Sequence, residues 1–115
     1  MDAKEKSLFC AQRVAAKKAH DVLIIDIHEH ASFADYFVIC SGTSTRQVQA
    51  IAEHLQESMK EAGFRALGIE GMRTGRWVLL DYADVIVHVF HSAERTFYGL
   101  EDIWSECPRI VYEDE

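Results

Sequence analysis

The 115-residue sequence predicts an α/β domain, a mixed β-sheet of about five strands with helices mainly on one face, in the order αββαβββα. Three observations carry that prediction. Short β-branched apolar runs alternate with stretches whose apolar residues recur at helical spacing. The last two of these runs follow one another with no helical stretch between them, so one sheet face is left short of cover. A chain of this length also buries roughly two thirds of its unfolded surface. That is enough for one core without disulfides or a structural metal, so residues 1–115 read as a single domain.

The first helix is expected from about Lys4 to His20, with Leu8, Ala11, Ala15 and Ala19 on one side. Lys17, Lys18 and His20 fall in its last turn, where cations suit the helix dipole. Residues 21–27 (DVLIIDI) and 36–42 (YFVICSG) read as buried strands joined by a polar loop. Ser44 with Gln47 three residues on makes a capping-box pattern. Val48, Ile51, Ala52, Leu55, Met59 and Ala62 then keep one apolar face until Gly63, which fits the C′ stop.

Residues 64–71 form a weaker strand. Residues 77–82 (WVLLDY) and 84–90 (DVIVHVF) are strong strands with Ala83 alone between them, so the turn has to use strand-end residues. A last helix is expected from about Ala93 to Trp104, with Phe97, Leu100 and Trp104 on one side and Ser92 as N-cap. The tail, residues 105–115, reads as variable. It either adds a strand or stays free.

Charge narrows the partners. Twelve Lys and Arg against 19 Asp and Glu leave −7, the wrong sign for gripping nucleic acid backbone or an anionic membrane surface. A macromolecular partner is expected to be basic. Cys10, Cys40 and Cys107 have no CxxC pairing and read as reduced thiols. No stretch has the length of a secretory h-region or a membrane span, so a cytoplasmic protein is expected.

Alternation separates the faces of the two strong strands. Val85, Val87 and Val89 belong under the helices, while Asp84, Ile86, His88 and Phe90 point the other way. Trp77, Leu79 and Asp81 oppose Val78, Leu80 and Tyr82. If the two mixed sets share a face, the sheet presents an apolar, aromatic surface with a few polar groups, the composition of an interface centre. Spacing leaves a second reading open, in which Trp77 and Phe90 are core residues capped by the last helix.

Chemistry is harder to find. The hydroxyl-rich turn Ser41-Gly42-Thr43-Ser44-Thr45 precedes a helix, where phosphate can bind, but it matches neither GxxxxGK[ST] nor GxGxxG. His28, His30 and His54 lack metal-ligand spacing with the cysteines. Asp81 and Asp84 are separated by a turn and need not converge. Cys40 lies in a strand run and reads as a buried thiol. No metal or other cofactor is expected.

Residues 34–55 (ADYFVICSGTSTRQVQAIAEHL) and 68–104 (GIEGMRTGRWVLLDYADVIVHVFHSAERTFYGLEDIW) resemble the two signature stretches of the ribosomal silencing factor family, also called RsfS or Iojap. Met72-Arg73-Thr74 fills a variable connection, and Ser92 stands where a proline is frequent. The resemblance implies a mixed α/β sheet related to nucleotidyltransferases and a translational regulator rather than an enzyme. It implies binding to the large ribosomal subunit through ribosomal protein fourteen, a basic protein, which blocks joining of the small subunit. A part in subunit biogenesis and a homodimer in the free state are implied too, with no membrane and no specific nucleic acid contact.

The matching positions expected on the partner-binding surface are Trp77, Asp81, Tyr82, His88, Phe90, Glu94, Arg95 and Tyr98. Trp77 and Phe90 are the expected apolar anchors, and Asp81 and Glu94 are expected to meet Lys or Arg. Tyr82 has the opposite parity to Trp77 and joins them only if a bulge re-aims it. The rival reading is a nucleotide-binding, nucleotidyltransferase-like enzyme using Ser41, Gly42, Ser44 and Asp81. Against it, the Asp-x-Asp or Asp-x-Glu partner pattern of such enzymes has no match here. A second rival makes the exposed sheet face the homodimer interface.

Overall fold

The computed structural model describes residues 1–113. Helix α1 (Ala3–Ala16) leads into strands β1 (His20–Asp26) and β2 (Tyr36–Gly42), then helix α2 (Thr45–Glu61). Strands β3 (Gly68–Glu70), β4 (Trp77–Asp81) and β5 (Val85–His91) follow. The chain continues through helices α3 (Ser92–Tyr98) and α4 (Leu100–Ile103) to strand β6 (Arg109–Val111).

Helix α1 starts earlier than its apolar spacing suggests because Asp2 and Glu5 form a capping box. Asp2 Oδ1 accepts from the Glu5 amide at 2.8 Å, and Glu5 Oε1 accepts from the Asp2 amide at 3.1 Å. The helix stops at Ala16, short of His20, because Lys18 takes a left-handed φ of 67° and turns the chain into β1. Helix α2 begins where the capping pattern put it, with Ser44 Oγ accepting from the Gln47 amide at 3.0 Å.

The sheet order is β3-β4-β5-β2-β1-β6, and only the central pair, β2 with β5, runs parallel. A parallel pair needs a long crossover, and the segment containing α2 supplies it. Helices α1 and α2 cover one face, where Cys10, Val14, Ile51, Leu55 and Met59 pack on Val38, Val78, Val85, Val87 and Val89. The all-valine side of β5 therefore lies under the helices. The opposite face carries a second core of Leu23, Ile25, Phe37, Ile39 and Phe90, partly roofed by Leu100 and Trp104.

The fold class is α/β with a mixed sheet, as the sequence indicates, but the strand count and the last helix differ. There are six strands among the described residues, because the tail pairs through residues 109–111 with β1. The expected last helix is two short ones. Gly99 adopts a left-handed φ of 56°, its amide closes α3 on the Arg95 carbonyl, and α4 restarts at Leu100. The break also corrects the expected stripe. Leu100 and Trp104 turn inward, whereas Phe97 is left 80% exposed. Ser92 is not the N-cap of α3. His91 Nδ1 accepts from the Ala93 amide at 3.3 Å, while the Ser92 hydroxyl donates to the Gly42 carbonyl.

Candidate partner-docking face

The β4–β5 connection decides which side chains meet. Tyr82, Ala83 and Asp84 make the turn, with Ala83 at a φ of 71° and the Tyr82 amide bonded to the Val85 carbonyl. The resulting register sets Trp77 opposite Phe90, Leu79 opposite His88 and Asp81 opposite Ile86. Trp77, Leu79 and Asp81 therefore share with Ile86, His88 and Phe90 the face away from α1 and α2, whereas Asp84, in the turn, is drawn to Lys6 of α1.

An aromatic row crosses that face. Trp77 stacks on Phe90 with ring centroids 4.7 Å apart and touches Tyr98 at 4.9 Å. The Trp77 Nε1–H donates to His88 Nδ1 at 3.1 Å. His88 meets the Phe37 ring edge-to-face at 4.7 Å, and Phe37 meets Trp104 at 5.5 Å. Phe33, exposed, closes the row against Trp104 at 6.3 Å. Its two ends, Tyr98 with Phe97 and Phe33, face solvent, and its middle is buried.

Burial sorts the expected contact residues. Trp77 and Asp81 are half-buried, Glu94 is half-buried, and Tyr98 is 49% exposed, so these four can meet a partner. Phe90 cannot act as a surface anchor. It is 0% exposed, because Trp77 lies over it and the second core surrounds it. His88, 3% exposed, is likewise beneath the surface. Tyr82 sits in the core under α1 and α2, and no bulge re-aims it; burial pushes its hydroxyl pKa up to about 12. Phe33 and Phe97 were missed as surface aromatics. Spacing gave no signal for Phe97, which keeps helical step with Leu100 and Trp104, and Phe33 lies in a loop where alternation reports no face.

Arg95 has an internal role. Its Nε and Nη2 donate to the two carboxylate oxygens of Glu101 at 2.7 and 3.2 Å. Nη1 donates to the Asp21 carbonyl at 2.7 Å and to Ser41 Oγ at 2.9 Å. That hydrogen bonding holds the Glu101 carboxyl below its usual range. Glu94 has Arg76 at 3.7 Å, and Asp81 Oδ1 accepts from the Ala83 amide at 2.9 Å.

The residues of the nucleotide-binding reading do not converge. Ser41 pairs with Phe90 on β5, whereas Asp81 pairs with Ile86, four residues and about 13 Å along the strand. A cavity of about 310 Å³ does lie at the carboxyl ends of the parallel strands, where open α/β sheets bind ligands. Arg95, its one cation, already spends four donor contacts on the protein itself. Ser44 is engaged as the cap of α2. His28 Nδ1 lies 2.6 Å from Asp26, which raises its pKa, and His54 is on α2. Among the described residues no group of three His, Cys, Asp or Glu side chains is placed to hold a metal ion. Burial pushes the Cys10 and Cys40 thiols up to about 12, out of the nucleophilic range.

The family model described as "Ribosomal silencing factor during starvation" matches residues 1–115. The chain belongs to the ribosomal silencing factor family. It is 46% identical over 92 residues to the ribosomal silencing factor RsfS of Bacillus subtilis, covering 80% of this chain and 78% of that protein. The RsfS of Halalkalibacterium halodurans is 40% identical over 113 residues, covering 98% and 97%. A crystal structure of a Chromobacterium violaceum protein superposes with a TM-score of 0.89 at 32% identity, covering 100% of this chain and 92% of that one. In this ribosomal silencing factor family member, the first signature stretch forms β2 and α2 and the second runs from β3 to α4. They join in the parallel β2–β5 pair, so the aromatic face is built where both stretches meet.

Proposed function

We propose that this protein is a cytoplasmic translational repressor that binds the large ribosomal subunit through ribosomal protein fourteen and blocks joining of the small subunit by occupying the shared surface. A part in subunit biogenesis belongs to the same reading, as does a homodimer in the free state. The observation that carries it is the aromatic face itself. Trp77 and Tyr98 form a surface pair at 4.9 Å on a sheet that α1 and α2 leave open on this side. Aromatic anchors at the centre of a patch dominate interface energetics.

Charge supports a basic partner. The protein carries −7 overall, and carboxylates border the row. At the β4–β5 turn, a cleft of about 390 Å³ is lined by Phe33 and Leu67 together with Asp35, Asp81 and Asp84. Asp84 is held by Lys6, but a cleft that sets Phe33 and Leu67 beside Asp35 and Asp81 fits the stem and head of a lysine or arginine. The mechanism requires no bond making or breaking, only a rigid face that excludes a competitor.

The test is co-sedimentation with purified large subunits, followed by light scattering when small subunits are added. Wild-type protein is expected to sediment with the large subunit and suppress joining, less so as salt rises. Trp77→Ala and Tyr98→Ala are expected to lose both effects while staying folded. Folded variants that bind and block like wild type would overturn the reading.

A further inference from the structure

We infer that His88 is a positioning residue that sets the indole of Trp77 in its docking orientation, an inference that rests on the reading of Trp77 as a docking residue.

Besides the half-exposed Tyr98 at 4.9 Å, two contacts with the sheet hold the Trp77 ring, and they differ in what they determine. Stacking on Phe90, 29° from parallel, fixes the plane but lets an indole slide or turn over within it. The hydrogen bond from Nε1 to His88 Nδ1 removes that freedom, because only one orientation satisfies the donor. The acceptor itself cannot wander. His88 is wedged against the Phe37 ring edge-to-face at 4.7 Å and lies parallel to Phe90, 17° apart, at 6.2 Å.

A histidine here needs a reason. Every other residue of β5 from Val85 to Phe90 is apolar, and His88 leaves its Nε2 buried without a partner. An unpartnered buried polar atom is a cost that Val or Leu would avoid. What an aliphatic side chain lacks is the Nδ1 lone pair aimed at the indole. That lone pair exists only with the proton on Nε2, and burial keeps the ring neutral down to about 4. Asn places its Oδ1 where His places Nδ1, whereas the Gln amide sits one bond farther out. These two amides therefore separate acceptor position from mere polarity.

The experiment uses the full chain labelled with ¹⁵N. The indole N–H resonance that disappears in Trp77→Phe belongs to Trp77, and affinity for purified large subunits is measured alongside it. His88→Leu is expected to shift that resonance, speed its solvent exchange and weaken subunit binding about 3- to 10-fold. His88→Asn is expected to restore both, and His88→Gln to restore neither. If His88→Leu does not fold, the Asn and Gln pair decides the question. In the Trp77→Phe background His88→Leu is expected to add no further loss. Wild-type resonance and affinity in His88→Leu, equal behaviour of Asn and Gln, or an undiminished effect in the Trp77→Phe background would each overturn the inference. If instead Trp77→Ala binds subunits like wild type, the docking reading fails. The indole resonance then still decides whether His88 orients Trp77.

Discussion

Lys6 Nζ lies 2.6 Å from Asp84 Oδ1, tying the first turns of α1 to the β4–β5 turn. The ammonium also reaches the Tyr82 carbonyl at 3.5 Å and sits 4.6 Å from the centroid of the Phe64 ring. The pair is lopsided, because the lysine side chain is 10% exposed and the aspartate 35%. Removing Asp84 strands a buried cation, whereas removing Lys6 leaves a carboxylate that water reaches. We expect Asp84→Ala to cost about 3 kcal/mol and Lys6→Met about 1 kcal/mol. Urea denaturation of the two variants checks the order, and equal costs would refute the asymmetry.

Arg95 joins the start of β1, the end of β2 and α4 through one guanidinium. Arg95→Lys keeps the charge but loses the fork that spans Glu101 and Ser41. The variant is expected to lose about 2 kcal/mol of stability. Amide exchange is expected to rise in residues 92–104 and not in α2. A uniform rise would mean that Arg95 stabilises the whole domain rather than this roof.

Two glycines of the β3 region make a matched pair. A Cβ on Gly71 would lie 1.9 Å from the Trp77 carbonyl oxygen, and its φ is +85°, whereas a Cβ on Gly68 would have nothing within 4 Å. Gly71→Ala is expected to destabilise by about 3 kcal/mol or more and to disturb the start of β4. Gly68→Ala is expected to stay within about 1 kcal/mol of wild type. Thermal melts of both, with tryptophan fluorescence, test the contrast.

Acid weakens this fold through His88. Burial lowers its pKa from 6.5 to about 4 in the folded state. Between those values the unfolded chain binds the extra proton, so stability falls as pH drops from about 6.5 and levels off below about 4. The loss from this one group is of order 3 kcal/mol. His54, lowered by burial and by Lys17 and Arg13, pulls the same way. His28, raised by the Asp26 hydrogen bond, pulls the opposite way, and it is fully exposed. Urea midpoints at pH 7.5 and pH 5 should differ in wild type and differ less in His88→Asn. Equal gaps would exclude His88 as the acid-sensitive group.

Much of the architecture was legible because alternation and helical spacing report which way side chains point. Val85, Val87 and Val89 were placed under the helices on parity alone, and Ser44 capped α2 as its spacing required. Relationships that depend on turn geometry were not legible. The left-handed Ala83 sets the register that brings Trp77 over Phe90, and nothing in alanine signals it. Gly99 could have been read as a break, but apolar spacing across it masked the signal. Phe90 and His88 were correctly assigned to the aromatic face. Their burial arises from Trp77, Phe37 and the roof of Leu100 and Trp104, which only the assembled sheet brings together. Arg95 looked like a surface cation until its partners, from three separate stretches of chain, surrounded it.

The pairing of β6 with β1 gives synthesis of this protein a particular order. The β1–β2 hairpin is made early, yet its final neighbours, β5 on one flank and β6 on the other, come off the ribosome much later. Until residues 109–111 emerge, the backbone of Leu23, Ile24 and Ile25 has no strand on its outer side. A nascent or prematurely terminated chain ending near Pro108 would thus expose a β-branched edge able to template pairing with other chains. Residues 109–111 work as a seal on this edge, and they do so only once they have left the ribosome.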